Sequence, residues 1–170
     1  YVPAATIDPI GNKTTYAYDS YQLLLSQVTD ALKNIVKIQT VDYQHLSPMQ
    51  LVDINGNTSE IKVDPLGRVM YTSQYGHEAD KPVGFVPLSQ APTDVPDSLQ
   101  AVIDDPAKYL GKAQSYFYYD PFAWQQRKEP VGSISLVAEQ YPDAPIPNRI
   151  QVLLSYNDGL GRTLCSKGKV

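Results

Sequence analysis

The sequence is poor in the residues on which catalytic and metal centres usually depend. It has one cysteine and two histidines among 170 residues, which excludes an internal disulfide and leaves a zinc site short of ligands. Cys165 lies in a strand-like segment, where a lone cysteine is expected to be a buried packing residue. Neither His45 nor His77 has a spacing to Cys165 that would mark it as the base of a nucleophile.

Basic clusters and long apolar runs are missing as well. The net charge is −4, and the 14 Lys and Arg residues are scattered, so nucleic acid is not an expected partner. No apolar stretch approaches the roughly 20 residues that a membrane-spanning helix needs. The chain begins with Tyr1, without a signal peptide, and stops directly after a repeat phrase. We therefore expect a fragment of a longer polypeptide, without a membrane span.

What the sequence has in abundance is turn-forming residues at a regular interval. Similar phrases begin at Asp8, Asp30 and Asp53, which are 22 and 23 residues apart. A second set of aspartates keeps the same step: Asp19, Asp42 and Asp64. Aspartate bonds its own downstream backbone, and glycine or asparagine accepts a positive φ at little cost. Such an interval is typical of a repeat protein, whose turns we assign to Asp8, Gly11, Asn12, Asp19, Asp53, Gly56, Asn57, Asp64, Gly67, Asp158 and Gly161.

The segments between the turns have the composition of short strands. They are rich in Thr, Tyr, Val and Ile and partly alternate, so that Val36 and Ile38 are expected to face a core. In residues 22–29 we expect Leu23, Leu25 and Val28 to point inward. The fold class predicted is all-β, with tandem antiparallel hairpins that form a curved, winding sheet.

Several phrases resemble the RHS or YD repeat family. Residues 11–19 read Gly-Asn-x-Thr-x-Tyr-x-Tyr-Asp, and Asp-x-x-Gly-Arg occurs at residues 64–68 and 158–162. The order of phrases, with acidic residues before Tyr-Leu-Gly at 109–111 and Tyr-Tyr-Asp-Pro-Phe at 118–122, is similar to the B component of bacterial insecticidal toxin complexes. Two copies depart from the pattern: Lys33 replaces the turn glycine, and Val63 replaces a tyrosine.

The resemblance implies a structural role. In that family the repeats wind a sheet into a hollow shell, joined with a C component, that encloses an unfolded toxic polypeptide until its delivery. This implies a non-catalytic scaffold segment whose partners are other repeat segments of the same chain, a C-type subunit and the enclosed polypeptide. It also implies a secreted location, or one on the bacterial surface. An excised sheet segment is expected to self-associate through its edge strands.

The sequence divides into three stretches. Residues 1–76 are predicted to be tandem repeats, residues 77–112 a proline-rich loop or insertion with a short helix, and residues 113–170 further repeat strands. A helix with Asp97 or Ser98 as its N-cap is predicted within residues 97–110 and ends before Gly111. Pro106 is expected to break it into two short turns.

The aromatic residues keep a second function open. Thirteen tyrosines stand against three phenylalanines and one tryptophan. Tyr116, Tyr118, Phe122 and Trp124 are close enough in sequence to form a surface that binds a sugar or a protein. The alternative is that the tyrosines pack the sheet, and their repetition favours it. A cell-surface binding module is therefore the first alternative to a scaffold.

The carboxylates raise a third possibility. Residues 53–64 partly match a calcium loop, but Gly56 comes two places too early for one. Asp104 and Asp105 could act with the turn aspartates as acid and base, in a hydrolytic or autoproteolytic region. Residues that recur once per repeat are stacked along the array rather than gathered at one point. We therefore expect no enzymatic activity, no cofactor and no metal.

Overall fold

Antiparallel strands dominate the computed structural model, which describes residues 2–145, 149–158, 160 and 162–169. The described strands form one sheet in the order β1-β2-β3-β4-β5-β6-β7-β9-β10-β11-β12, with β8 paired to β7. The strands are β1 Ala5–Ile7, β2 Lys13–Tyr18, β3 Leu25–Thr29, β4 Ile35–Asp42, β5 Ser47–Val52, β6 Thr58–Val63, β7 Val69–Glu78, β8 Lys81–Gly84, β9 Ser115–Asp120, β10 Val131–Ala138, β11 Ile150–Asn157 and β12 Thr163–Lys169. The all-β class predicted from the sequence is confirmed.

Three short helices interrupt the strands. They are α1 Leu99–Asp104, α2 Pro106–Leu110 and α3 Ala123–Arg127, and a 3₁₀ turn covers Leu88–Gln90. The chain divides into two compact units, Tyr1–Ile61 with Gln74–Val83, and Lys62–Ser73 with Gly84–Val170. We call these the first and second unit. The division into three stretches made from the sequence stays a prediction.

The first unit is a meander of hairpins in which each strand from β1 to β6 pairs with the next. Val36 and Ile38 on β4 are partly buried and alternate with exposed neighbours, as predicted. The inward placement of Leu23 and Leu25 is wrong, because these side chains are 60% and 36% exposed. Leu23 belongs to the turn before β3, which begins only at Leu25, so the predicted strand was too long at its start.

The second unit contains a hydrophobic core. Every second residue of β10 is buried, from Gly132 to Ala138, which is the alternation of a sheet with one covered face. Helices α1 and α2 contribute buried side chains to the same cluster as β10. Its members are Tyr71, Leu88, Ala91, Leu99, Val102, Tyr109, Leu110, Ala113, Tyr116, Ile134, Leu136, Ala138 and Leu154.

The predicted helical region is confirmed, including its break. Ser98 caps α1, because its Oγ accepts the backbone N–H of Ala101 at 3.2 Å. Pro106 opens α2, where its missing N–H costs nothing, and Asp105 caps this helix through the N–H of Lys108 at 3.1 Å. Gly111 ends it at a φ of +58°, a conformation that favours glycine.

The loop predicted after Gly76 is wrong in its first part. Strand β7 continues to Glu78, and β8 returns along it through a turn at Ala79 and Asp80, both with positive φ. Pro82 lies in β8, which pairs with β7 alone, and an edge strand is where a sheet tolerates proline. Helix α3 was not predicted either.

Candidate functional site

The repeated aspartates brace their own turns. In the first hairpin the backbone N–H groups of Ile10 and Asn12 donate to Asp8 Oδ1, at 3.0 and 2.8 Å. The side-chain amide of Asn12 donates to Asp8 Oδ2 at 2.8 Å. One carboxylate therefore closes the turn through both of its oxygens, without help from outside the five residues.

The same brace recurs in the other two hairpins of this set. Asn34 donates to Asp30 from its backbone and side chain, at 2.9 and 2.8 Å. Asn57 donates to Asp53 in the same way, at 2.8 and 3.1 Å. In each turn the hydrogen bond from the asparagine side chain is the main cause that lowers the pKa of the aspartate, since it stabilises the carboxylate form.

Lys33 occupies the turn position that glycine holds elsewhere. It adopts a φ of +72°, close to the +82° of Gly56 in the next turn of the set. A left-handed conformation is strained for lysine and not for glycine. The Asp30 brace therefore holds a turn that its own sequence disfavours, which explains how the degenerate copy keeps the repeat geometry.

Arginine replaces asparagine in the second form of the brace. The Arg68 Nε donates to Asp64 Oδ2 at 2.7 Å, and the Arg162 Nε donates to Asp158 Oδ2 at 2.6 Å. Burial acts to raise the pKa of Asp64, but the backbone and guanidinium of Arg68 outweigh it and lower that pKa. Gly67 takes the positive φ of this turn, at +78°, whereas Gly161 lies outside the described residues.

The remaining turns of the first unit are built differently. Asp19 accepts the backbone N–H of Leu23 at 2.8 Å, and Asp42 pairs with His45 at 2.7 Å. The rings of Tyr21 and Tyr43 meet edge to face with centroids 5.4 Å apart. Two successive turns are thus joined by an aromatic contact, a feature that the aspartate spacing did not predict.

These contacts bear on the calcium and acid-base hypotheses. The Asp53 carboxylate, which a calcium site would use, accepts hydrogen bonds from Asn55 and Asn57 of its own turn. Within the part of the chain that the structure describes, no group of three His, Cys, Asp or Glu side chains is placed to hold a metal ion. Each turn aspartate serves its own hairpin, and the absence of catalysis stays a prediction.

The predicted burial of Cys165 is wrong. The cysteine is exposed, as is every residue of β12. The alternation of a strand shows which residues share a face, but not whether another layer covers that face. Of the two histidines considered as its base, His45 is bound to Asp42 and His77 lies near the end of β7.

The predicted aromatic surface is divided by the fold. Tyr116 is only 1% exposed and belongs to the core, where its ring lies 4.6 Å from that of Tyr71. The prediction that Tyr116 belongs to an exposed surface is therefore wrong, because this residue lies on the covered face of β9. Tyr118 is half-buried, whereas Phe122 and Trp124 are 58% and 62% exposed.

Helix α3 presents the exposed pair. Its last residue, Arg127, forms an ion pair with the buried Asp120, which fastens the helix to the end of β9, and a second ion pair with Glu129. The Lys128 ammonium lies 5.7 Å from the centre of the Trp124 ring. Trp124 thus exposes an aromatic ring next to a cation, and Phe122 exposes a second ring at the N-cap of the same helix.

No protein-family model matches the sequence, and no curated protein matches it. Solved structures do match the fold. A crystal structure of TcdB2-TccC3 superposes on 92% of this chain with a TM-score of 0.80 and 28% sequence identity. The Tc holotoxin pore of Photorhabdus luminescens covers 92% with a TM-score of 0.76 and 21% identity. A form of TcdB2-TccC3 without its hypervariable C-terminal region covers 89% at a TM-score of 0.76 and 22% identity.

The chain spans only 7% to 10% of the length of these solved chains. None of the described helices is long and apolar enough to cross a membrane. The resemblance found in the turn phrases and the superposition of the fold agree on one kind of protein. The chain is similar to an RHS-like segment of the B component of Tc toxin complexes.

Proposed function

We propose that the chain is a non-catalytic scaffold segment of an RHS-like toxin-complex protein. It contributes strands to a hollow β shell that encloses a toxic polypeptide and helps to deliver it. The observation that carries the proposal is the superposition of 92% of the chain on TcdB2-TccC3 at a TM-score of 0.80. Partners would be neighbouring RHS-like segments, a C-type subunit and the enclosed polypeptide, in a secreted or cell-surface complex.

The construction of the first unit supports this role. A wall that encloses a large volume needs many strands in sequence, and a conventional core would have to grow with it. The hairpins of the first unit close through braces such as Asp8 with Asn12 and Asp53 with Asn57. They pair with their neighbours by main-chain hydrogen bonds, for example in the register Tyr16 with Val28 and Val28 with Val36. Such units add to a wall one at a time.

Protease protection tests the proposal in the parent toxin protein, produced together with a C-type subunit. The enclosed polypeptide should resist an added protease while the shell is intact. Changing Asp30 and Asp53 to alanine opens two braces and should expose the polypeptide, whereas Glu78→Ala, at an exposed strand end, should not. If the intact complex leaves its polypeptide open to digestion, the containment role is wrong.

Absence of catalysis is tested on the chain itself. The turn aspartates are engaged by their own turns, which leaves them poorly placed to move protons for a substrate. We expect no self-cleavage during prolonged incubation between pH 4 and pH 9, as followed by mass spectrometry. New fragments that accumulate with time, and that disappear when Asp104 and Asp105 are replaced, would favour a hydrolytic region instead.

A binding module is the second candidate, because Phe122 and Trp124 are more than half exposed. Exposed aromatic side chains give rigid contact area for sugars and proteins. A glycan array tests this role with the variants Trp124→Ala and Phe122→Ala. Leu153→Ala is a matched control, since Leu153 is 51% exposed and lies on strand β11, away from α3 in the sequence. Binding that is lost only in the first two variants would favour the module over the scaffold.

A further inference from the structure

A cavity of about 280 Å³ opens within the second unit. Its lining includes tyrosines of strands β7 and β9, together with residues 92–96. Lys62 and Arg68 also line it. This volume is just below the roughly 300 Å³ at which the range for small-molecule sites begins. It suits a ligand of about the size of one sugar unit.

The hydroxyl group of Tyr116 is the most informative part of the lining. The side chain is only 1% exposed, and its hydroxyl has no hydrogen-bond partner within the described residues. The neighbouring Tyr71 is different, because its hydroxyl donates to the Tyr109 carbonyl at 2.9 Å. The hydroxyl oxygen is not among the enclosed side-chain atoms that lack a partner, so it keeps contact with solvent in the cavity, where water can satisfy it. Tyr116 thus offers the cavity a donor that no described protein group uses.

A second hydroxyl lies on the same face of β9. Tyr118 follows Tyr116 by two residues, also lines the cavity, and makes no hydrogen bond through its hydroxyl in the described ranges. Burial raises the pKa of both phenols, with a further contribution from Asp120 at Tyr118. Both groups therefore remain protonated at neutral pH and are able to donate.

Lys62 is the charged side chain of the lining that has no oppositely charged partner among the described residues. Arg68 is neutralised by Asp64, at 2.6 Å, and Asp94 by Lys108, at 3.4 Å. Lys62 forms no ion pair within the described part of the chain. Its ammonium lies 6.0 Å from the centre of the Tyr71 ring. The lining of the cavity thus combines one unbalanced positive charge with two phenol donors and several aromatic rings.

We propose that this cavity binds a small hydroxylated carboxylate of the size of one sugar acid. Lys62 receives the carboxylate, and the hydroxyl groups of Tyr116 and Tyr118 donate to oxygens of the ligand. The site does not depend on the scaffold role, since it lies within one unit. A free sugar acid and the terminal sugar acid of a glycan share this chemistry.

Calorimetric titration of the chain with sodium glucuronate, its methyl glycoside, glucose and sodium acetate tests the proposal. Glucuronate should bind, and glucose should bind about tenfold more weakly because it lacks the charge for Lys62. Acetate should bind more weakly than glucuronate, since it has no hydroxyl groups. Binding of both glucuronate and the glycoside would indicate a glycan end, and binding of glucuronate alone would indicate a free acid. No binding of glucuronate overturns the proposal.

Three variants locate the binding. Tyr116→Phe removes a hydroxyl that bonds nothing in the protein, so the thermal midpoint should be unchanged while the affinity falls about three- to tenfold. Lys62→Gln should abolish the preference for glucuronate over glucose. Lys37→Gln, at an exposed lysine of β4, should leave both affinities unchanged. If Tyr116→Phe and Lys62→Gln bind glucuronate as the original chain does, the cavity is not the site and the proposal is wrong.

Discussion

The two units are stabilised in different ways. The second unit has a core of buried side chains from strands and helices, with Val102, Leu110 and Leu136 completely inaccessible. In the described residues of the first unit, Gly76 alone is fully buried. Its order rests on strand pairing and on turns closed by aspartates such as Asp53. Regularly spaced local hydrogen bonds therefore order a sheet segment in which apolar burial is only partial.

Truncation of a core residue gives the largest expected effect and the sharpest contrast. Leu136→Ala should lower the free energy of unfolding of the second unit by about 2 to 5 kcal/mol, because it leaves a cavity in a packed site. Val36→Ala in the first unit should cost only about 1 kcal/mol, since Val36 is partly exposed already. Denaturant titration measures both. Equal losses would mean that the first unit has a core of its own.

Removal of one brace should affect the first unit locally. Asp53→Ala deletes the acceptor of three hydrogen bonds, and amide exchange at residues 53–57 should become faster by at least tenfold, as for one lost bond of about 1.4 kcal/mol. Asp53→Asn keeps an acceptor oxygen, so its exchange rate should lie between those of the original chain and Asp53→Ala. Glu78→Ala serves as the control. Unchanged exchange in Asp53→Ala would show that strand pairing alone holds the turn.

Acid should act on the first unit before the core of the second. The pKa values of Asp8, Asp30 and Asp53 are lowered from 3.8 in the folded chain. The stability that they contribute is therefore present above pH 3.8 and is lost as the pH falls through the folded values. Hydrogen exchange between pH 5 and pH 2 should show the turns opening while β10 stays protected. Simultaneous loss in both units would contradict the comparison.

Alkali should act mainly on the second unit. Burial raises the pKa of Tyr71 from 10.0 to about 12 and raises that of Tyr116 as well. The stability that the two tyrosines contribute is fully present below pH 10. It declines as the pH rises through their pKa values in the folded chain, because the tyrosines of the unfolded chain ionise first. Ultraviolet titration of tyrosinate, together with circular dichroism, measures this. In the Tyr116→Phe variant, one tyrosine fewer should ionise at high pH. An ordinary pKa for both Tyr71 and Tyr116 would refute their burial.

The smallest effect is expected at the exposed end of the sheet. Strand β12 pairs with β11 alone and is exposed along its length, so it offers an edge to another molecule. Leu164→Lys should weaken self-association in light scattering several-fold, because a charge on an edge strand opposes pairing. Leu153→Lys, on the paired strand β11, is the control. A monodisperse monomer at high concentration would argue against an open edge.

Turn chemistry was predictable from the sequence because each brace is local. Asp8 and Asn12 are four residues apart and satisfy one another, so the sequence pattern and the structure carry the same information. The two helices were predictable for the same reason, since Ser98 and Pro106 act on the residues next to them.

Burial was not predictable in this way. Tyr116 and Cys165 both lie in strand-like segments, yet one is 1% exposed and the other is exposed. The difference depends on helices α1 and α2, which contribute to the cluster around Tyr116 and come from a stretch that has no repeat pattern. The cavity next to Tyr116 was missed for that reason. A tyrosine near a lysine is too common in sequence to indicate a site.

The self-sufficiency of the aspartate brace also bears on how such a protein changes in size. A hairpin that is closed by Asp53 and Asn57 needs only a neighbouring strand edge on which to pair, and no contact with residues distant in the sequence. Duplication of a stretch of about 22 residues can therefore lengthen the sheet by one hairpin, without a matching change elsewhere in the gene. The length of the sheet becomes a quantity that selection can adjust in small, independent increments.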